Sequence, residues 1–297
     1  MNAAFTVLQT GPLTTVQDTG RTGYGALGIG PSGACDSAAH RLANRLVGND
    51  EGVAVLETTF GGLHILAHRR ITVALTGAPC RGVPCNAAVT LAAGQEFRLG
   101  MTISGVRSYL AVRGGLDVAP VLGSRSTDLL GGLGPATVAP GDCFTVGEPS
   151  RPQPGVDFAP VPALETGTVR IGLLPGPRIE WFTAQALRSL VSRPYTVTVQ
   201  SNRTALRLDG PALDRAREGE LPSEGLTRGA IQVPPSGLPI LFLADHPVTG
   251  GYPVIGYVGE QDVDRCAQIQ PGQSIRFHPS TVDLSTDSAR AVPAFPR

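Results

Sequence analysis

The chain has 297 residues, 41% of them hydrophobic, with 24 basic and 24 acidic side chains and a formal net charge of zero. That supports a sizeable core in one large or two ordinary domains, and gives no positive field for nucleic acid or an anionic membrane. Every basic residue is arginine and lysine is absent, which excludes a Walker-type phosphate loop, a Schiff-base lysine and a biotin-bearing lysine within this sequence.

Glycine (38) and proline (26) are abundant while charged residues are only 16%, a profile that predicts many short strands joined by tight turns. The first helix is expected at 37–47, where Ala38, Ala39, Leu42, Leu46 and Val47 share a face, Asp36 caps the start and Gly48 the end. Strands follow at 61–68, 71–77 and 108–114. "EPSRPQPGVDFAPVPALET" (148–166) reads as a linker, because its prolines remove backbone donors and fix φ. Beyond it come a strand at 168–174, a helix running from 178 through "RIEWFTAQALRSLV", strands at 195–201 and 239–245, and a short helix at 262–269. The segment from Ser280 has no periodic apolar face and is expected to be disordered. Three stretches, "LAAGQEFRL", "TVAPGDCFTV" and "QIQPGQSIRF", repeat a glycine-polar turn feeding a strand, an echo that fits two barrel-like units better than one continuous sheet. The expected organisation is therefore an N-terminal unit at 1–150, a linker at 151–167, a second unit at 168–279 and a tail at 280–297.

The opening "MNAAFTVLQTGPL" lacks a basic stretch followed by an apolar core, and the longest apolar run, "LPILFLA" at 238–244, is too short to cross a bilayer. Five scattered cysteines make no disulfide framework. A cytoplasmic, reduced protein is the expectation.

Three segments interrupt the strand pattern with glycine and polar groups: 16–36 ("VQDTGRTGYGALGIGPSGACD"), 112–134 and 224–253. Glycine lets the backbone turn with positive φ and approach a ligand, and polar neighbours supply donors. In "VLGSRSTD", Arg125 among Ser124, Ser126 and Thr127 suits either an oxyanion site or a capped turn. For Arg21 the rivals are an anion clamp and an ion pair with Asp18. His64 and His68 lack the accompanying ligands of a metal site and read as solvated strand residues, and no metal site is expected. His40 falls on the polar side of the first helix. His246 opens a glycine loop, a common setting for function. Neither Ser32 nor Ser236 sits in a nucleophile elbow, and Cys35 reads as a small buried thiol.

The blocks "VQDTGRTGYGALGIGPSGACD", "RLVGN", "LETTFGG", "RGGLDVAPVLGSRSTDL", "EGLTRGAIQVPPSGLPI" and "DHPVTGGYP" resemble, in order, those of the 5-oxoprolinase C-subunit family. It is also called the allophanate hydrolase subunit 2, KipA-like or biotin-dependent carboxyltransferase domain family. The resemblance extends from about residue 5 to about 278. It implies a mainly β fold of two cyclophilin-like β-barrel subdomains with a few short helices. It also implies a partner like the B subunit (KipI-like), a partner like the A subunit, and one of three activities. These are ATP-driven hydrolysis of 5-oxoproline to glutamate, carboxyl transfer from partner-borne biotin to urea, and antagonism of a histidine-kinase inhibitor. The first is favoured, because the sequence has no biotin carboxylase or carrier segment. The family's arginine block keeps Ser201, Arg203 and Leu208 but places Ala205 and Leu206 where a Gly-Tyr or Gly-Leu pair is usual.

Under the hydrolase reading, ATP with Mg belongs to the assembled complex, and Arg21 and Arg125 neutralise phosphate oxygens beside Ser124, Ser126 and Thr127. Asp18 or Asp36 orients water or a metal ion, Asp245 is a further candidate base, and Arg203 is a candidate ligand contact. Gln232 pairs with an amide edge, while Tyr24, Thr249, Gly250 and Gly251 form an oxyanion wall. The glycine-lined segments are expected to meet in one cleft.

Overall fold

The computed structural model describes residues 3–280, so the expected disorder of the tail lies, but for Ser280, outside the described residues. The chain divides into two compact units between Leu164 and Glu165.

The first unit contains β1 (Phe5–Thr10), β2 (Leu13–Gln17), α1 (Ser37–Leu46), β3 (Val55–Thr59), β4 (Leu63–Ala67), β5 (Ile71–Gly77), β6 (Ala87–Leu91), β7 (Glu96–Arg98), β8 (Arg107–Val112) and β9 (Cys143–Phe144). They form a four-stranded sheet, β7-β4-β1-β9, and a five-stranded sheet, β2-β3-β8-β5-β6. Phe5, Val7, Ile65, Leu56, Val73 and Leu110 belong to one buried apolar cluster drawn from both sheets. Ala43 and Leu46 of α1 pack with Val55, Ala74, Tyr109 and Ala111 on the five-stranded sheet. With apolar neighbours on both sides, β8 loses the polar alternation of a half-exposed strand, and all six of its residues are buried. The proline-rich stretch to 164 has no helix or strand, yet it is tied to this unit: Arg113 Nη2 donates to Arg151 O at 2.8 Å and Ala159 N to Asn86 O at 2.9 Å.

The second unit comprises β10 (Val169–Pro175), α2 (Ala184–Ser192), β11 (Tyr195–Val197), β12 (Ala205–Asp209), β13 (Glu224–Gly225), β14 (Ala230–Gln232), β15 (Ile240–Phe242), β16 (Thr249–Gly250), β17 (Val254–Tyr257), α3 (Glu260–Cys266) and β18 (Ser274–Pro279). Seven strands close a barrel in the order β10-β17-β14-β15-β12-β11-β18, with β10 and β18 parallel. Its interior is filled by side chains such as Ile171, Leu173, Tyr195, Ile231 and Phe277, and Leu190 of α2 joins the same cluster. The fold is mainly β, as the resemblance implies. The expected long helix from 178 is broken: a 3-10 turn covers Ile179–Trp181, Phe182 is extended, and the Thr183 hydroxyl caps α2 by accepting Ala186 N at 3.1 Å.

The sequence echo is one turn built three times. Gln95 N donates to Ala92 O, Asp142 N to Ala139 O and Gln273 N to Gln270 O. Gly94, Gly141 and Gly272 take the left-handed position with φ of 80°, 94° and 89°. In each turn the fourth residue's side chain accepts the first residue's amide, at 3.0 Å for Gln95, 2.8 Å for Asp142 and 2.7 Å for Gln273. Among the described residues no helix is long and apolar enough to cross a membrane.

Candidate active site

The loop between β2 and α1 is closed at its neck by two backbone bonds, Arg21 N to Pro31 O at 2.8 Å and Ala34 N to Asp18 O at 3.0 Å. So close an approach requires glycine on both sides. A Cβ on Gly20 would stand 2.5 Å from Pro31 O, and one on Gly33 would stand 2.9 Å from Gly20 N. Beyond the neck, residues 22–28 are mostly exposed and include a 3-10 turn at Gly25–Leu27, in which Tyr24 O accepts Leu27 N. Ser32 is held in left-handed backbone with φ of 52°, and its hydroxyl donates to Thr127 O at 3.2 Å.

Asp18 joins this loop to the segment 124–128. Its Oδ1 accepts the hydroxyls of Ser124 and Ser126, both at 2.6 Å, and Gly20 N at 2.8 Å; its Oδ2 accepts Arg125 N at 2.6 Å. The carboxylate is committed to architecture and is not a free base. Arg21 does not pair with Asp18. Its Nη2 donates to Ser126 O at 2.5 Å and its Nη1 stands 3.7 Å from Asp128 Oδ2. Arg125 is half-buried and donates from Nε to Val118 O at 2.6 Å. Ser124, Ser126 and Thr127 are buried, and Ser124 and Ser126 serve the Asp18 latch.

The other end of the loop is pinned by two strands. Glu57 on β3 lies directly opposite Tyr109 on β8. Glu57 Oε2 accepts Cys35 N at 3.0 Å, and the Tyr109 hydroxyl accepts Asp36 N at 2.8 Å, so a cross-strand pair grips two consecutive amides. Asp36 caps α1, its Oδ1 accepting Ala39 N at 2.9 Å. Arg107 Nε stands 3.8 Å from Glu57 Oε1. Burial first, then the Glu57 and Asp36 charges, push the Tyr109 phenol well above its ordinary range and keep it protonated. His40 is 1% exposed, not solvated; its Nε2 lies 3.0 Å from Val53 O and burial lowers its pKa.

The remaining sequence candidates belong to the second unit. Arg203 and Asp245 form a buried two-pronged pair, with Nε to Oδ2 and Nη2 to Oδ1 both at 2.9 Å. Each neutralises the other, the usual arrangement for a buried charge. Gln232 donates from Nε2 to Tyr252 O at 3.0 Å. Thr249 and Gly250 form β16 against β13, and a Cβ on Gly250 would meet Gln232 Nε2 at 2.6 Å. Gly251 adjoins them. His246 is buried, with Nδ1 2.8 Å from Pro247 O and its pKa lowered by desolvation. The 16–36 and 112–134 segments are thus brought together within the first unit, and the 224–253 segment belongs to the second.

The carboxyltransferase domain family, subdomains A and B, matches residues 27–279. The chain belongs to that family. It is 41% identical over 280 residues to the C subunit of the Escherichia coli 5-oxoprolinase, covering 91% of this chain and 89% of the relative. It is 33% identical to the urea amidolyase of Saccharomyces cerevisiae, covering 97% of this chain and 17% of that protein. The crystal structure of TTHA0988 superposes with a TM-score of 0.84 at 37% identity, covering 93% of this chain and 55% of the solved chain. The Kluyveromyces lactis urea amidolyase structure gives a TM-score of 0.87 at 31% identity, with this chain spanning 19% of it.

Sequence reasoning missed Glu57, Tyr109 and Asp128. A charged residue in the middle of the strand "VLETT" was the available signal for Glu57, because an unpaired acid is seldom placed in a fully buried strand.

Proposed function

We propose that this chain is the C subunit of a multi-subunit 5-oxoprolinase, cytoplasmic and ATP-dependent, working with partners like the B and A subunits of that enzyme. The observation that carries the reading is near end-to-end similarity to a free-standing C subunit, 89% of whose length is covered. The urea amidolyases are matched over only 17% of theirs.

A lactam resists water because its nitrogen lone pair is delocalised into the carbonyl. ATP, when bound in the assembly, supplies the activation that makes the carbonyl oxygen a leaving group. This chain's own residues offer the nucleotide no dedicated site: there is no lysine, one amide in the first turn of α1 and one in the first turn of α2 are taken by Asp36 and Thr183, and Asp18 accepts four hydrogen bonds from its own surroundings. ATP with Mg is therefore assigned to a partner protein. In the first unit Arg21 and Arg125 stabilise the negative charge that gathers on the substrate oxygen. In the second unit Gln232 donates to Tyr252 O and so holds the turn that carries Thr249, Gly250 and Gly251. Asp18 and Asp36 hold the loop in position, and the Arg203–Asp245 pair fixes the start of the 245–253 turn.

The test is to co-express the chain with its genomic neighbours, purify the assembly and measure ADP and glutamate formed from 5-oxoproline and ATP. Turnover in the intact assembly and a fall of about 100-fold or more in kcat for Arg125→Ala are expected. No turnover, together with carboxybiotin-dependent consumption of urea, would establish the second reading. Similarity to urea amidolyase favours that alternative, and in it biotin rides on a partner because no lysine here can carry it.

A further inference from the structure

Arg21 and Asp128 stand side by side with unused hydrogen-bonding capacity, 2% and 4% exposed. Arg21 Nη2 is held by Ser126 O, while Nε and Nη1 have no hydrogen-bond partner among the described residues. Asp128 spends Oδ1 on the amides of Leu130 and Gly131, at 3.0 and 2.8 Å, which leaves Oδ2 facing Arg21 Nη1 across 3.7 Å. The two charges are too far apart for a hydrogen bond because each is tethered elsewhere. Buried donors without partners are costly and uncommon in native proteins, so each calls for an explanation, one of which is a ligand.

We infer that Arg21 Nη1 and Asp128 Oδ2 together read one edge of a cis-amide, the arginine donating to its carbonyl oxygen and the aspartate accepting from its N–H. The inference rests on the proposed function and extends it by naming the recognised group. In a cis-amide the oxygen and nitrogen lie on the same edge about 2.3 Å apart, and two slightly splayed hydrogen bonds of roughly 2.9 Å reach partners separated as this pair is. A carboxylate or phosphate would set an acceptor against Asp128. A trans-amide points its N–H and carbonyl in opposite directions and cannot reach both. A lactam is cis by ring constraint, and urea offers the same edge.

Two glycines lie directly against the pair. A Cβ on Gly131 would stand 2.6 Å from Asp128 Oδ2; one on Gly134 would collide with Ser126 O and stand 3.2 Å from Arg21 Nη2. The turn that carries Gly131 is exposed, with Leu129 at 45% and Leu130 at 55%, and the inference requires this turn to move outward to admit the amide.

Asp128→Asn tests the assignment, because it keeps an oxygen for the Leu130 and Gly131 amides and turns the other position into a donor. Binding of 5-oxoproline, of its γ-lactone analogue and of urea is measured by calorimetry on the full assembly. The native assembly should prefer lactam to lactone about 10- to 100-fold, the range for one hydrogen bond to a charged group, and Asp128→Asn should bring the two within about twofold. Should the variant not fold, Gly131→Ala, which displaces Oδ2 while keeping both side chains, should give the same loss of selectivity. Unchanged lactam preference in a folded variant overturns the inference and leaves the hydrolase reading standing. Binding of urea but not lactam, weakened tenfold or more in Asp128→Asn, upholds the amide-edge assignment and overturns the hydrolase reading. Binding of none of the three overturns both.

Discussion

Asp18 and Arg125 are neighbours with opposite energetic roles. Four donors converge on the Asp18 carboxylate, two of them buried hydroxyls. Asp18→Asn would put an amide donor where only acceptors fit, leaving at least one buried group unpaired. We expect a loss of about 3 kcal/mol in the urea unfolding free energy. The Arg125 side chain is half-buried and donates to a carbonyl rather than to a charged partner, so Arg125→Ala should change stability by less than about 1 kcal/mol. Its kinetic effect is therefore separable from folding. The sequence exposed both residues because polar groups amid glycine stand out. It hid Asp128, because an aspartate ahead of Leu-Leu-Gly-Gly reads as a turn cap; that role engages one oxygen and says nothing of the other.

Among the elements, the repeated turn separates two ways in which glycine matters. Gly94, Gly141 and Gly272 have left-handed backbone, but a Cβ added at any of them would meet nothing within 4 Å. Replacing each by alanine should cost only the conformational strain, about 1 kcal/mol, and similarly at all three places. Gly20 also has positive φ, at 83°, but a Cβ there meets two carbonyl oxygens, at 2.5 and 2.8 Å. Gly20→Ala should exceed about 3 kcal/mol and open the loop neck; thermal unfolding of the four variants side by side checks the contrast. Strand positions such as 71–77 were legible because β-branched and apolar residues run between turn signals, and β5 spans those residues. The second helix was misjudged because its apolar spacing continues through 179–182, and periodicity does not register that the Thr183 hydroxyl offers a better helix start. The pairing of Glu57 with Tyr109 was invisible at this scale for a related reason: which residues face each other across strands is set by register, which local sequence does not state.

At the scale of the whole chain, both units carry a buried histidine in the neutral form, so acid should weaken each. His40 in the first and His246 in the second have pKa values lowered from 6.5 chiefly by desolvation, although the Val53 carbonyl and the Asp18 and Glu57 charges partly offset this at His40. Above pH 6.5 both are neutral whether the chain is folded or unfolded, and their contribution to stability is complete. Below it the unfolded chain takes up protons that the folded units refuse, so the unfolding free energy falls as pH falls, until the depressed folded-state values are passed. Each histidine contributes at most about 1.4 kcal/mol per pH unit to that slope. His40→Gln keeps a donor within reach of Val53 O and removes the titration. Urea unfolding of the native chain, His40→Gln and His246→Gln at pH 7.5 and 5.5 should show the native chain losing the most on acidification and each variant losing less. Equal losses in all three would mean that carboxylates, not the two buried imidazoles, govern acid sensitivity.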